Sequence, residues 1–582
     1  MKPVTQQNSP QPDHETYQKS VDLLVVGSGN GALTTALCAK LMADKMGQPI
    51  SVLVIEKGPQ FGGTSAMSGG GIWIPCSRYA KALGVDDSIA EAKQYLQATI
   101  PEPLFREEMI DAYLQNGPNM LDFLHENSRV CYQSLEHYPD YYSDLPGARN
   151  GHRSLEPEPI LGSVLGDAFK LIHESALIVY NRFMLTQVEG QMITGGLRGR
   201  YRALAKLILK YYTDFPWRFK HKITRRLTCG MAGISRLYLS LKDNDVELWL
   251  NSPMQSLIND NESGKVLGAI VQHEGSTIRI EARRAVMLAA GGFEQNQAMR
   301  EQYLPAPTNK AWSAGINSNT GDAIVAGQAI GAQTAQMDGA WWCSTVTVPG
   351  RQYPFLSIVT KSMPGTFVVN QSGKRYGNES QNYMSWSLEL FNVHSETNNC
   401  VPSYMIFDSK FKNKYSAFPL TGPDWLLPKS YFTSGLIAKA NTIEELANKT
   451  GTDAKALAAT VKQFNQYAIT GKDLDFQRGD AAYDRYYGDP EVKPNPCLAP
   501  LTKPPYYAMR SDAGDFGTHG GLLTNPHAQV LAKDGQPIAG LYATGNCSAA
   551  VLPTYPGPGS TLGPAMAFGY QAAKHITGFK ED

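Results

Sequence analysis

Net charge is missing from this chain: 53 Lys and Arg balance 53 Asp and Glu, so no overall field points to nucleic acid. Its eight cysteines, at Cys38, Cys76, Cys131, Cys229, Cys343, Cys400, Cys497 and Cys547, include no CxxC pair. Zinc knuckles, iron–sulfur ligation and a thioredoxin-type couple therefore find no support, and no metal site is expected. Scattered single cysteines in a large chain fit a reducing compartment. No run of about 18 apolar residues occurs, so no membrane span is expected. The stretch 1–20 is polar and lacks the apolar centre of a signal peptide. It reads as a disordered lead-in, and the protein as cytoplasmic.

With 582 residues, 42% hydrophobic and 18% charged, the chain has the composition of a globular protein with a sizeable core in two large units plus an insertion. Its most informative features are two glycine-rich boxes at opposite ends. The first is Val21-Asp-Leu-Leu-Val-Val-Gly27-Ser28-Gly29-Asn30-Gly31-Ala32. Its apolar run over 22–26 is too short for a helix and ends at glycine, which predicts a buried parallel strand. Gly27 permits the sharp turn, Gly29 lets backbone approach a pyrophosphate, and Ala32 takes the third, close-packing position. A helix over 32–46 would then aim its free amides at the phosphates. A second strand over 51–55 ends in Glu56, a carboxylate placed to accept from a ribose diol.

The glycine-rich stretches Gly62-Gly63-Thr64-Ser65 and Ser68-Gly-Gly70-Gly71 follow at once, and would let backbone lie flat along a flavin's pyrophosphate and ribitol. A strand over 284–292 ends in Gly291-Gly292. The second box, Gly540-Leu-Tyr-Ala-Thr-Gly545-Asn546 with Tyr555-Pro-Gly-Pro-Gly559-Ser-Thr561-Leu562-Gly563, follows a hairpin turn and brings the chain back to the same place. The first box says dinucleotide; the second narrows the cofactor to FAD. The predicted fold is α/β: a discontinuous Rossmann-like FAD-binding domain over 21–340 and 514–582, with an inserted α+β domain over 341–513. Strands begin that inserted domain at Thr366 and Ser403, and a helix covers 454–467. Trp341, Trp342, Phe355 and Trp386 are candidates to wall a flat ring system.

With those motifs in view, the sequence resembles the flavoproteins related to fumarate reductase, and within them the 3-ketosteroid Δ1-dehydrogenases. The resemblance runs from about Val21 to Ala573. It is carried by Gly62-Gly-Thr-Ser, Ala290-Gly-Gly-Phe-Glu, Asn319-Thr-Gly-Asp322, Arg375-Tyr-Gly-Asn-Glu-Ser380, Gly514-Asp-Phe-Gly-Thr-His-Gly-Gly521 and Tyr555-Pro-Gly-Pro-Gly559. It implies removal of a proton from C2 and a hydride from C1 of a 3-ketosteroid, of the androst-4-ene-3,17-dione or cholest-4-en-3-one type. By position, the substrate-enolising tyrosine falls on Tyr555 and its amide partner on Gly559. The proton-abstracting tyrosine falls on Tyr383 and its helper on Tyr141, with the adjacent Tyr142 able to fill that last role.

The implied cofactor set is Gly27, Ser28, Gly29, Asn30, Gly31, Ala32, Glu56, Lys57, Gly63, Thr64, Ser65, Ser68, Gly70, Gly71, Ala290, Gly291, Gly292, Asn319, Asp322, Gly545, Asn546, Thr561 and Leu562. Phe61-Gly-Gly-Thr-Ser offers no histidine for covalent attachment, so FAD is expected to be noncovalent. No NAD, haem or iron–sulfur motif appears, which leaves a quinone or a carrier protein as electron acceptor. A fumarate reductase would instead need arginine and histidine groups around a dicarboxylate. A Δ4-dehydrogenase shares the cofactor fold and steroid class but not the proline-rich tyrosine loop. A flavin-binding protein without catalysis is the remaining alternative.

One segment, 160–228, is absent from shorter members of the family. It holds twelve Lys or Arg and four Asp or Glu, an excess of +8. Tyr201, Leu204, Ile208, Tyr211 and Phe215 recur at helical spacing, while Arg198, Arg202, Lys206 and Lys210 step by four. A basic amphipathic helix of this kind suits the surface of an anionic membrane, here the inner face. The alternative is a solvated helix that docks its apolar stripe on the protein.

Overall fold

The computed structural model describes residues 17–581, except 180, 181, 261, 416–418 and 421. Of the expected lead-in, 1–16 lies outside the described residues. Lys19 and Ser20 already belong to the first strand, Lys19–Val26, where Lys19 pairs with Glu247 at 3.0 Å.

That strand lies at the middle of an eight-stranded sheet. Five strands run parallel, in the order Pro537–Ala543, Ser276–Leu288, Lys19–Val26, Val52–Ile55 and Glu247–Trp249. Leu24 faces Val286 on one side and Leu53 on the other, and all three are fully buried. A parallel strand covered on both faces must be apolar throughout, which explains the unbroken Leu-Leu-Val-Val run. The strand expected over 284–292 is instead Ser276–Leu288. It starts earlier because it pairs antiparallel with Val266–His273, and it stops before the glycines.

The first helix, Asn30–Lys45, begins two residues earlier than expected because extended Gly29 is its N-cap. It packs along the C-terminal helix Leu562–Thr577. Close approach there depends on Gly31, where a Cβ would meet Ala565 O of that helix at 3.0 Å. Both N-termini, one from each end of the chain, therefore open on one place.

Between them lies a four-stranded antiparallel sheet in the order Thr366–Val369, Ser403–Asp408, Tyr506–Ser511, Ile437–Ala440. The helix Ala454–Thr470 buries Leu457, Val461, Phe464 and Ala468, one face at helical spacing, in a core with Phe367, Val369 and Ile406. Trp341, Trp342 and Trp386 are buried in the larger core and support the cavity from behind. Only Phe355 of the four aromatic candidates reaches its wall.

Segment 160–228 starts and ends on a two-stranded neck, Ile160–Leu161 against Arg226–Leu227. It carries the helices Gln187–Thr194 and Arg200–Thr213. The expected apolar stripe is divided between the protein and the surface. Leu207 and Tyr211 dock on Phe183 and Leu185, whereas Tyr201, Ile208 and Phe215 are 71%, 39% and 60% exposed. The helix has more apolar side chains than its narrow docking face can cover, so the surplus faces outward.

Candidate active site

A single large cavity runs from the first glycine turn to the tyrosines. At one end Gly27, Ser28, Gly29, Asn30 and Gly31 meet Thr561 and Leu562. Gly27 has φ +108°, and a Cβ there would lie 2.3 Å from Ala289 O, so only glycine fits the turn. Glu56 lines the same end. It accepts from Gly58 N–H at 2.8 Å and from the Ser28 hydroxyl. Lys57 donates to Thr320 and Asp322, both at 2.7 Å. Gly63, Thr64, Ser65, Ser68, Gly70, Gly71, Ala290, Gly291, Asn319, Asp322, Gly545 and Asn546 complete this part of the wall.

Two expected cofactor residues lie behind the wall. Ala32 is fully buried between helix and sheet, so its small side chain serves packing. Gly292 faces the Thr518 hydroxyl, where a Cβ would approach to 2.2 Å.

At the other end Tyr141, Tyr383 and Tyr555 form a triangle. Ring centroids are 5.4 Å apart for Tyr141 and Tyr383, 5.5 Å for Tyr383 and Tyr555, and 5.7 Å for Tyr141 and Tyr555. Tyr555 sits at φ +57°, a conformation costly for a bulky residue and one that marks functional loops. Gly559, at φ +99°, would place a Cβ 2.4 Å from Ile72 Cα, so only glycine fits there, and its backbone N–H lies at the Tyr555 hydroxyl. Thr561 Oγ1 is buried beside the Tyr555 hydroxyl.

Each ring is held by its own scaffold. Asp140 accepts from Trp73 Nε1 at 2.7 Å and from Arg153 at 2.9 Å, and Tyr141 N–H donates to Pro556 O at 2.9 Å. The Tyr141 loop is thereby strapped to the loop that carries Tyr555. Tyr142 turns away and donates to Thr554 O at 2.7 Å, which leaves Tyr141 as the ring facing the other two. Tyr383 is the first residue of the helix Tyr383–Thr397, whose N-cap Asn382 accepts from Ser385 N–H.

Two buried basic side chains fix the turn before it. Lys361 Nζ donates to Glu379 O and Gln381 O, both at 2.7 Å. Arg478 donates to Ser380 Oγ at 2.9 Å and to the Glu379 carboxylate at 3.1 Å. Sequence reasoning missed both; its only trace was the motif holding Glu379 and Ser380. It also missed the wall from Ala176–Val179, the helix Gln187–Thr194 and Tyr486–Tyr487, which carries no motif.

Burial pushes the hydroxyls of Tyr383 and Tyr141 well above the ordinary phenol value, and neighbouring tyrosines add to the rise. Tyr555 is also raised by burial, but Tyr383, Thr561 and the Gly559 amide pull it back. Among the described residues lining the cavity there is no arginine or histidine. The one lysine, Lys57, belongs to the glycine-turn end and is paired with Asp322. The tyrosine end is thus neutral and offers hydroxyls and an amide to a neutral ligand.

A family model described as an FAD binding domain matches residues 22–562. The 3-oxosteroid 1-dehydrogenase of Mycobacterium tuberculosis is 39% identical over 572 residues, which cover 95% of this chain and 98% of that protein. The chain belongs to the 3-oxosteroid 1-dehydrogenase family of FAD-binding flavoproteins. A crystal structure of the 3-ketosteroid Δ1-dehydrogenase from Sterolibacterium denitrificans, in complex with 1,4-androstadiene-3,17-dione, superposes with a TM-score of 0.92 at 42% identity. That match covers 97% of this chain and all of the other. The family also reaches the 4-oxocyclohexanecarboxylate 2-dehydrogenase of Sinomonas cyclohexanicum, 34% identical over 97% of this chain and 94% of that protein.

FAD is the cofactor, and the residues fit it. Two helix N-termini converge on the glycine turn, where free amides and the helix dipoles favour a pyrophosphate. Gly70 lines the cavity as bare backbone because its other side is packed against the protein: a Cβ there would lie 2.5 Å from Cys229 C.

Proposed function

We propose that this chain catalyses the 1,2-dehydrogenation of 3-ketosteroids. The observation that carries the reading is the neutral triangle of Tyr141, Tyr383 and Tyr555 beside the Gly559 amide. It suits a polarised ketone and provides no cation for a carboxylate. That separates it from fumarate and from 4-oxocyclohexanecarboxylate, whose charge would be buried there unpaired.

The C2 proton of a 3-ketosteroid becomes acidic when its C3 carbonyl is polarised. The Tyr555 hydroxyl and the Gly559 N–H converge on that oxygen as an oxyanion hole, each such donor contributing about 2.7–4 kcal/mol. Tyr383 takes the C2 proton, and Tyr141 supports its developing phenolate by a hydrogen bond. FAD, when bound, supplies the acceptor for the C1 hydride. The turn fixed by Lys361 and Arg478 keeps Tyr383 in place through the step, so that little reorganisation is needed. FAD is held noncovalently in this reading, since Phe61-Gly-Gly-Thr-Ser presents no histidine.

The regions divide accordingly. Segments 21–340 and 514–582 form the cofactor domain, and 341–513 forms the domain that delivers Tyr383. Segment 160–228 supplies cavity wall and a second surface. Tyr201, Ile208, Leu209, Tyr212, Phe215 and Phe219 are all exposed, Phe219 at 89%, and lie among the exposed Arg202, Lys206, Lys210 and Lys220. Leu177 of the same segment lines the cavity yet is 44% exposed, which marks a mouth. This surface suits an anionic lipid face from which an insoluble steroid enters. Among the described residues no helix is long and apolar enough to cross a membrane.

The test is anaerobic titration of the FAD-loaded protein with androst-4-ene-3,17-dione, fumarate and 4-oxocyclohexanecarboxylate, followed by flavin absorbance. The steroid bleaches the flavin and the two carboxylates do not. Bleaching by 4-oxocyclohexanecarboxylate alone would replace the steroid reading.

A further inference from the structure

One wall of the substrate cavity comes from the basic segment. Gln187, Gly190, Gln191 and Thr194 all line the cavity, and their spacing of three, four and seven puts them on one helix face. The helix Gln187–Thr194 is firmly seated. Thr186 and Glu189 form a reciprocal capping box, Arg226 donates to the Glu189 carboxylate at 2.9 Å and 3.0 Å, and Gln187 N–H donates to Glu156 at 2.9 Å. Gln191 Nε2 donates to Tyr486 O at 2.7 Å. The wall is therefore pre-formed.

The link from this helix to the catalytic rings passes through other tyrosines. Tyr486 is stacked on Tyr138 at 4.4 Å, and Tyr138 lies 6.4 Å from Tyr141. Tyr138 is tied to Tyr487 by a hydroxyl–hydroxyl hydrogen bond of 2.6 Å. Tyr555, Gly559 and this wall line one continuous cavity, so a rigid ring system with its ketone at Tyr555 and Gly559 has room to extend toward Gly190.

In the middle of the wall stands a glycine. Glycine inside a helix is less favourable than alanine by about 0.8–1.0 kcal/mol. Where packing demands it, a Cβ would strike a neighbour; at Gly190 a Cβ meets nothing within 4 Å. Gly190 lines the cavity nonetheless, so the missing side chain is cavity space.

We propose that Gly190 is the specificity-determining position for the end of the steroid remote from its 3-keto group, leaving the space that a C17 alkyl side chain enters. The proposal rests on the Δ1-dehydrogenase reading. It assigns the enzyme to 3-ketosteroids that retain such a side chain, with short C17 groups also accepted.

The test is the series Gly190→Ala, Gly190→Leu and Gly190→Phe, each loaded with FAD, assayed with androst-4-ene-3,17-dione and cholest-4-en-3-one. Gly190→Phe is expected to lower kcat/KM for cholest-4-en-3-one at least about tenfold, the range for a steric mismatch in an apolar pocket. For androst-4-ene-3,17-dione the change should stay within about twofold on the same grounds. Gly190→Leu should fall between, and Gly190→Ala should move the ratio of the two substrates the same way by less. Flavin content and thermal midpoint should hold or rise, because each replacement is a better helix former than glycine. An unchanged ratio, or equal loss on both steroids, overturns the assignment. Should Gly190→Phe lose FAD, the ratio in Gly190→Ala decides. If the unaltered protein is reduced by neither steroid, the steroid reading itself has failed, an outcome distinct from an unchanged ratio.

Discussion

Tyr383 and Tyr555 meet edge to face, ring centroids 5.5 Å apart and planes at 60°, although one begins a helix of the central body and the other lies in the C-terminal loop. In the proposed mechanism the contact makes proton removal and carbonyl polarisation parts of one site. Tyr383→Phe and Tyr555→Phe are each expected to lower turnover at least about a hundredfold, as loss of an acid–base group or an oxyanion donor does, with the flavin spectrum unchanged. Tyr142→Phe should stay within a few-fold, since its hydroxyl is committed to Thr554 O. Steady-state kinetics of the three variants check this, and a Tyr142→Phe loss equal to that of Tyr383→Phe would move the helper role to Tyr142.

The pH dependence follows from burial. Tyr383 must lose its proton to act as a base, and burial holds its hydroxyl well above the usual value of 10. Turnover should therefore climb with pH across the neutral and mildly alkaline range, with no plateau before about pH 10. A rate profile that levels off near pH 7 would point to a different base.

Glu294 gives a stability counterpart. Buried beside Asp515, its carboxyl is pushed up from 4.5 to about 7, although Asn319 draws it back. A raised folded value means that the folded state holds the proton more tightly than the unfolded chain does. The stabilisation is complete below pH 4.5 and is lost as pH rises through 7. Glu294→Gln should thus match the unaltered protein near pH 5 and exceed its thermal midpoint near pH 8. Thermal melts at the two pH values check this; a variant less stable at both would show that the ionised carboxylate is needed.

Much of this was legible in the sequence because cofactor binding is local. Gly27 to Gly31 carry their reason in the turn itself, and Glu56 in its place at a strand end. The tyrosines proposed as catalytic stood out only through family motifs, since nothing local distinguishes Tyr383 among 29 tyrosines. Lys361 and Arg478 were not legible: their roles arise from long-range bonds to Glu379, Ser380 and Gln381. Which apolar residues of Arg200–Thr213 face outward was not legible, because periodicity gives the angle of a stripe and not which residues find partners. Leu207 found Phe183 and Leu185; Ile208 found none of the core.

For that outward face, co-sedimentation with anionic liposomes is expected and should weaken with added salt, as screening removes attraction of about 1 kcal/mol per basic residue. Changing Arg198, Arg202, Lys206 and Lys210 together to Glu should abolish it while activity on dispersed steroid remains. Equal sedimentation of both proteins, or none by the unaltered one, would leave the segment as cavity wall only.

The most direct measurement is the structure of the product. The FAD-loaded protein is incubated with androst-4-ene-3,17-dione and an artificial electron acceptor, and the steroid is examined by NMR. The expected product carries new vinylic protons at C1 and C2, and the same incubation in deuterated water with Tyr555→Phe shows no exchange at C2. A new double bond elsewhere in the steroid, or recovery of unchanged steroid from the unaltered protein, would contradict the assignment.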